Sequence, residues 1–359
     1  MAGFSYRGKN IGDFGEIYYI PNESERGDYA LPFDVEEETV NGRDGAYYYG
    51  SRVEPRTFNL RCYYDGLSQQ TIGDILLWFG RNTSGRLIFD DRDYAYYTVH
   101  PNAKITMDDY KRNGCDGYLH QGIMTIPLKA YRPFGRLLPT AMVQFPPAIV
   151  GTAVVGLSIV GTPMTGADEE TCILLTTTMP SSSYTLTDTV FYVYNPGTEA
   201  TPLNITLRGT ATSGTITNVT NGQSCVLTNV NTGNNDLVVN SETGRVTVGG
   251  TLDFSVHDHG YICLSPCIPF VRNASIGYTS GSKTITSSGL FRNEMAGQFV
   301  YLNNAWRKID TVTNENTAVL VNNMDASGTA TTPIVTMNEL HFDGFTLSKL
   351  EMNYSPLAR

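Results

Sequence analysis

Four side chains in the last third of the chain are of the types a metal ion would bind: His257, His259, Cys263 and Cys267. Alternate residues on a strand face the same way, and imidazoles with thiolates suit zinc. The spacing argues against that use. Leu264, Ser265 and Pro266 separate the two cysteines where a zinc knuckle has two residues, and the order His-His-Cys-Cys is unusual. The expectation is no structural zinc, only strand and loop residues close in sequence. Paired carboxylates stand at Asp90-Asp91-Arg92-Asp93 and Asp108-Asp109, the raw material of acid–base chemistry or calcium binding. Neither has the Asp-x-Asp-x-Asp-Gly pattern of a calcium loop, and Asp90 directly follows Leu87-Ile88-Phe89, so a solvated turn is the favoured reading. No Gly-x-Ser-x-Gly elbow, P-loop, His-Glu-x-x-His or dinucleotide fingerprint occurs. Five histidines leave few general bases. The residues therefore point away from an enzyme and call for no cofactor.

The composition sets the frame for these residues. The chain has 359 residues and a net charge of −10, which argues against nucleic acid, whose partners carry a basic patch. Its 22 tyrosines and 15 phenylalanines bring too much burial-seeking surface for disorder. No apolar run is long enough to span a bilayer, and Met1–Lys9 lacks the apolar core of a signal peptide. The reading is a soluble, β-rich, multi-domain protein made in the cytoplasm, with no membrane partner. The six cysteines, at 62, 115, 172, 225, 263 and 267, are too sparse for a disulfide framework and read as reduced, packed thiols.

The chain changes character near residue 140. Of residues 1–140, 35 are charged and 15 are tyrosines; of residues 141–359 only 25 are charged, and Thr, Ser, Asn and Gly dominate. Surfaces so different belong to separate domains. Pro139 and Phe145-Pro146-Pro147 mark the connection. In the first part, Gly15–Ile20, Arg56–Tyr64, Arg86–Asp90, Tyr94–His100 and Gly122–Tyr131 read as strands. Phe58, Leu60 and Cys62 alternate as on a half-buried strand. Ser68–Gly80 breaks the pattern, since Ile72, Ile75, Leu76 and Phe79 follow helical spacing between a Ser cap and a Gly stop. The second part shows short β-branched runs between turn clusters, the mark of a sandwich or barrel. Ala148–Gly161 is apolar and β-branched, and reads as a buried strand or as an arm on a neighbouring subunit. Residues 273–336 form a self-contained set of strand signals that resembles a small inserted barrel.

The order of these signatures resembles the distal tail proteins of long, flexible-tailed bacteriophages. Phe4-Ser5-Tyr6-Arg7-Gly8-Lys9-Asn10 with Asp13-Phe14-Gly15 looks like the family's opening strand and turn. Asn41-Gly42-Arg43-Asp44-Gly45, Gly50-Ser51-Arg52 and Glu54-Pro55-Arg56 are similar to its next stretch. Gly85–Asp91, Tyr96-Tyr97-Thr98-Val99 and Tyr131-Arg132-Pro133-Phe134-Gly135 follow in the family's order. Asn195-Pro196-Gly197-Thr198 and Asp236–Asn240 with Glu242-Thr243-Gly244 look like parts of its galectin-like sandwich. The likeness covers residues 1–135, and more loosely 190–270 with 337–354.

The resemblance implies a mainly β chain. Residues 1–140 would be an N-terminal β-sandwich with one amphipathic helix, forming a ring. Residues 141–190 would be linker or arm with extra strands. Residues 191–272 with 337–359 would be a C-terminal galectin-like β-sandwich, and 273–336 an inserted β module. The implied role is the structural hub of a tail tip or baseplate in the virion, assembled in the host cytoplasm. Its implied partners are five further copies in a homo-hexameric ring, the tail tube protein, the tape-measure end, the tail-tip fibre or tail-associated lysin protein, and receptor-binding proteins. The tyrosines suit interfaces that stay soluble before assembly. Arg43, Tyr47, Tyr48, Tyr49, Arg52, Glu54 and Arg56 are the candidate contact residues, a solvated loop being the plainer alternative. Two other classes remain. A carbohydrate-binding adhesin would need an aromatic platform, for which Ala305-Trp306-Arg307 is the candidate, although a strand Trp is more often core. A glycan-cleaving enzyme would need two carboxylates flanking a bond, and no such pair stands out.

Overall fold

The computed structural model describes residues 3–21, 33–39, 46–80, 83–111, 119–142, 146–151, 156–165, 171–267 and 269–358. The chain divides into two units, Met1–Leu138 with Ala358–Arg359, and Pro139–Leu357. Both are built almost wholly of antiparallel strands, as expected of a mainly β protein.

In the first unit the strands lie in the order Lys9–Asn10, Phe4–Tyr6, Gly85–Phe89, Ala95–Pro101, Leu119–Ala130, Arg56–Ser68, Ile17–Ile20. The alternation read from residues 56–64 holds, with Phe58, Leu60, Cys62 and Tyr64 turned inward, and then slips at an irregularity opposite His120 and Gly122, so that Leu67 is buried and Ser68 exposed. Leu119–Ala130 repeats it with Met124, Ile126, Leu128 and Ala130, so in-register pairs such as Leu60↔Ile126 and Cys62↔Met124 place apolar side chains on one face. That face is covered by helix α1, Gln69–Gly80, which buries Ile72, Ile75 and Phe79; Leu76, expected on the same face, is 39% exposed instead. The Ser68 hydroxyl accepts the Thr71 amide at 3.1 Å, an N-cap contact at the position expected for it. Tyr6 stacks on Phe79 at 4.9 Å, and Phe4 meets Tyr19 edge-on at 5.6 Å. The Asp13-Phe14-Gly15 segment lies at the end of a short 3-10 turn, Ile11–Phe14, closed by a reciprocal Asn10–Asp13 capping box.

In the second unit the spine is a 15-residue strand, Asn204–Asn218, whose two halves pair with Gln223–Asn231, Leu237–Asn240, Asn338–Asp343 and Phe345–Tyr354. Within residues 141–190, expected to be linker or arm with extra strands, the described strands join the large sheet. Ala148–Val150 pairs with Thr189–Val193, and Ser158–Thr165 pairs with Thr171–Thr178, all within the same large sheet. The single buried strand expected over 148–161 is accordingly two segments. Gly156 sits at a φ of +82° that β-branched residues avoid, and Val160 beyond it is exposed. Residues Pro269–Val335 form a closed barrel of six strands around Ile276, Ile285, Phe291, Val300, Ile309, Leu320 and Ile334. Closure leaves this small module no sheet edge.

A methyl group on Gly122 would overlap the carbonyl of Asp108 on the paired strand Thr106–Lys111, a backbone group that cannot step aside. Gly122→Ala is expected to detach or shift that strand and destabilise the first unit by about 1–3 kcal/mol. Chemical denaturation checks it, with greater amide exchange in residues 106–111 than in the Arg56–Ser68 strand.

Candidate functional site

The strands Phe33–Thr39 and Ala46–Val53 form a two-stranded ribbon, and among the described residues neither pairs with any other strand. Its sequence alternates poorly but is rich in charge: Asp34, Glu36, Glu37 and Glu38 lie along the first strand. Glu37 and Glu38 stand across from Tyr48 and Tyr47 in the register. Asp34 stands across from Arg52, whose Nε and Nη2 donate to its carboxylate at 2.9 and 2.7 Å. Arg52 is largely exposed, so this pair adds little to stability and serves mainly to fix the register. A ribbon of this kind buries little and is marginal alone in water.

The candidate contact residues therefore do not form one cluster. Tyr47, Tyr48, Tyr49 and Arg52 belong to the ribbon and Glu54 follows it, exposed. Arg43 lies outside the described residues. Arg56 is elsewhere: it opens the long sheet strand, its guanidinium 5.1 Å from the Phe58 ring centre, and it donates to Tyr97 Oη at 3.3 Å. Its alternation partner Phe58 is part of the core, which ties Arg56 to the sheet rather than to a contact loop.

In the second unit, buried side chains hold the inserted barrel, and two of them, Asn218 and Asn338, carry no signal in the sequence. The chain enters it after Cys267 and leaves before Asn338, and a buried amide network ties both crossings together. Asn338 Nδ2 donates to the Ser265 carbonyl at 2.9 Å, and its Oδ1 accepts the Ser265 amide at 2.7 Å and Asn218 Nδ2 at 3.1 Å. Asn195 donates its amide to Cys267 Sγ at 3.1 Å and its side chain to the Leu264 carbonyl at 3.1 Å. Burial pushes the Cys267 thiol up to about 11, against the opposing hydrogen bonds from Asn195 and Asn338. Beside this neck, Trp306 is 4% exposed, with its indole N–H on the Pro146 carbonyl at 2.8 Å and its ring against Tyr194 and Tyr301. It is no open platform. It belongs to an apolar seam, with Phe299, Val335, Met337, Ile149 and Tyr192, where the barrel meets the sheet.

A charged chain runs from the same seam. Lys308 Nζ donates to Tyr192 Oη at 2.9 Å and lies 3.8 Å from the Glu339 carboxylate. The other Glu339 oxygen is 2.7 Å from His341 Nε2, and Asp188 is 2.8 Å from His341 Nδ1. Only the imidazolium donates from both nitrogens, so this geometry requires the charged ring. Burial pushes the His341 ring down, but the hydrogen bonds to Glu339 and Asp188 outweigh it and hold the ring above its ordinary value.

The metal candidates do not converge. His257 Nε2 is 2.7 Å from the Gly260 carbonyl, His259 Nδ1 is 2.7 Å from Asp258, and the Cys263 amide donates to Gln223. Among the described residues no group of three or more His, Cys, Asp or Glu side chains gathers around a common point. Asp90–Arg92 is an exposed 3-10 turn in which Asp90 accepts from Asn10 Nδ2 at 3.2 Å. Asp108 lies on the Thr106–Lys111 strand, away from it in sequence. Cys225, Cys263 and Cys267 are free thiols, and Cys115 lies outside the described residues. No helix among the described residues is long and apolar enough to cross a membrane.

Residues 19–122, which include the ribbon and most of the first unit's sheet, match the family model of the phage tail protein RIFT-related domain. No curated protein matches the chain. Among solved structures, the crystal structure of the phage SPP1 Dit protein, titled a paradigm of the hub adsorption apparatus in Gram-positive infecting phages, is 12% identical over 99% of this chain and 99% of that one, with a TM-score of 0.48. A chain of the phage P2 baseplate in its activated conformation with Ca is 10% identical over 99% of this chain and 97% of that one, at a TM-score of 0.30. A chain of the phage p2 baseplate with Sr is 8% identical over 98% of each, at 0.28. These three likenesses are loose and carry no argument. Residues 19–122 are similar to a phage tail domain, in keeping with the order of motifs in the first 135 residues.

The raised His341 value fixes the sign of a pH effect. Its stabilising contribution is fully present below the unfolded value of about 6.5 and is lost as pH rises through the higher folded value. Thermal melts of the second unit's transition are expected to fall across that window, and His341→Gln is expected to lower stability at pH 6 and flatten the dependence. An unchanged slope in the variant contradicts the assignment.

Proposed function

We propose that the chain is the hub of a phage tail tip, a ring that continues the tail tube and holds the proteins beyond it. The observation that carries this reading is the phage tail domain across residues 19–122. The ribbon inside that domain supports it in physical terms. Two strands without a third layer gain stability by lying on a surface, and a neighbouring copy of the same unit supplies one. Such a contact is head-to-tail, because the ribbon of one copy meets a different part of the next, and head-to-tail contacts close into rings when the rotation fits. Six copies is the number implied by the resemblance to distal tail proteins. The second unit, with its barrel locked at the neck, would then carry attachments: the tail-tip fibre or lysin protein and receptor-binding proteins. The tail tube protein would meet the ring's other face. A non-enzymatic scaffold is the role proposed, which the phage tail domain match supports.

The ribbon gives the test. In the full chain, residues 33–53 are replaced by a short Gly-Ser linker and the product is compared with the parent by sedimentation velocity and circular dichroism. The expected outcome is a folded monomer beside an assembling parent. Unchanged assembly by the ribbonless protein would move the contact to another part of the chain.

A further inference from the structure

A groove of about 620 Å³ opens on the first unit, between α1 and the segment that joins the strands Ala95–Pro101 and Thr106–Lys111, both of which pair with Leu119–Ala130. Leu76 and Phe79 of α1, Pro101, Ile105 and Met107 of the joining region and Pro127 of the long strand line it. Ile105 and Met107 pack on the core that contains Phe79, so the groove is continuous with the apolar interior. The helix beside it is apolar on more than its inner face. From Ile75 to Gly80 it holds no charged residue, and Leu76 and Leu77 are 39% and 72% exposed. A helix that is hydrophobic all round belongs in an interior. An exposed apolar strip joined to an apolar groove marks a contact with another protein surface.

Charge and connectivity name the occupant. Among the described residues that line the groove, the charged one is Lys104, which is exposed. The ribbon is its complement. Its strands Phe33–Thr39 and Ala46–Val53 carry Asp34, Glu36, Glu37 and Glu38 against Arg52 alone, and Val35 stands 49% exposed beside Asp34 and Glu36. Complementary charge of this kind selects a partner and sets its register more than it adds affinity. A small apolar ligand would fill the groove and leave Leu77 uncovered, whereas a ribbon laid across the groove reaches the helix face as well. A head-to-tail contact joins two different patches, so the ribbon of one copy on the groove of the next completes both elements at once. We infer that the groove between α1 and residues 101–107 receives the ribbon of a second copy of this chain, with Val35 against the apolar wall and the ribbon's carboxylates toward Lys104. This rests on the hub reading and names the surface that the ribbon meets in it.

The test compares the parent chain, the ribbonless protein and a groove variant carrying Leu76→Glu and Lys104→Glu, by sedimentation velocity across a concentration series. Circular dichroism checks that each is folded. Lys104→Glu alone, at an exposed position, guards against a folding defect from Leu76→Glu and should raise the concentration of half-assembly at least roughly tenfold. The double groove variant should stay monomeric where the parent assembles. Mixed with the ribbonless protein, it should form a one-to-one complex and nothing larger, because its ribbon and the other protein's groove are the only intact pair. A groove variant that assembles as the parent does, or a mixture in which the two folded proteins stay monomeric, overturns the inference and leaves the ring standing. A parent that is monomeric at every concentration overturns the ring, and this contact with it.

Discussion

Two paired strands with no third strand beside them are marginal alone in water. The Phe33–Thr39 and Ala46–Val53 ribbon pairs with no other strand among the described residues, and it lies inside the stretch that matches the phage tail domain. Its first strand is acidic, its second carries Tyr47–Tyr49, and its one described ion pair is exposed. None of these features stabilises an isolated ribbon, and all of them suit a protein that remains soluble until a second surface arrives. The rest of the first unit is conventional by comparison, with a sheet whose inner face is closed by α1 and the Phe4, Tyr6 and Phe79 rings.

The second unit meets a different constraint. A barrel inserted into a sheet must keep its two chain crossings from acting as hinges, and buried asparagines do this here. Asn195, Asn218 and Asn338 are essentially without solvent contact, and their side-chain groups are used on backbone and on one another. A buried polar network of this kind specifies one arrangement when satisfied and is costly when a member is lost. The aromatic seam around Trp306 adds apolar contact to the same junction. The barrel is thus a docked module, with His341, Glu339 and Lys308 extending the contact as charge.

Much of this was legible in the sequence, and what was not has physical causes. The alternation of Phe58, Leu60 and Cys62 and the spacing of Ile72, Ile75 and Phe79 are local patterns set by strand and helix periods, and both elements lie where those patterns put them. The segment 148–161 misled because β-branched composition says strand without saying how many, and Gly156 within it takes a positive φ that no composition announces. Arg56 looked like part of a charged loop, but its fate depends on Phe58 and Tyr97, one of them 41 positions away. Trp306 as a platform failed for a similar reason, since its partner Pro146 is 160 residues distant. The asparagine network carries no local signature at all: Asn338 reaches Ser265 and Asn218 across 73 and 120 positions. Contacts of that range are a property of the finished fold.

The central claim, a closed ring built through the first unit, is tested most directly by the mass and shape of the whole chain in solution. Multi-angle light scattering across a concentration series, with negative-stain images of the same samples, measures both. The account predicts particles of six copies, against a chain mass of 39.4 kDa, that appear as closed rings with a central opening. A monomer at every concentration, or open filaments of indefinite length, would contradict it.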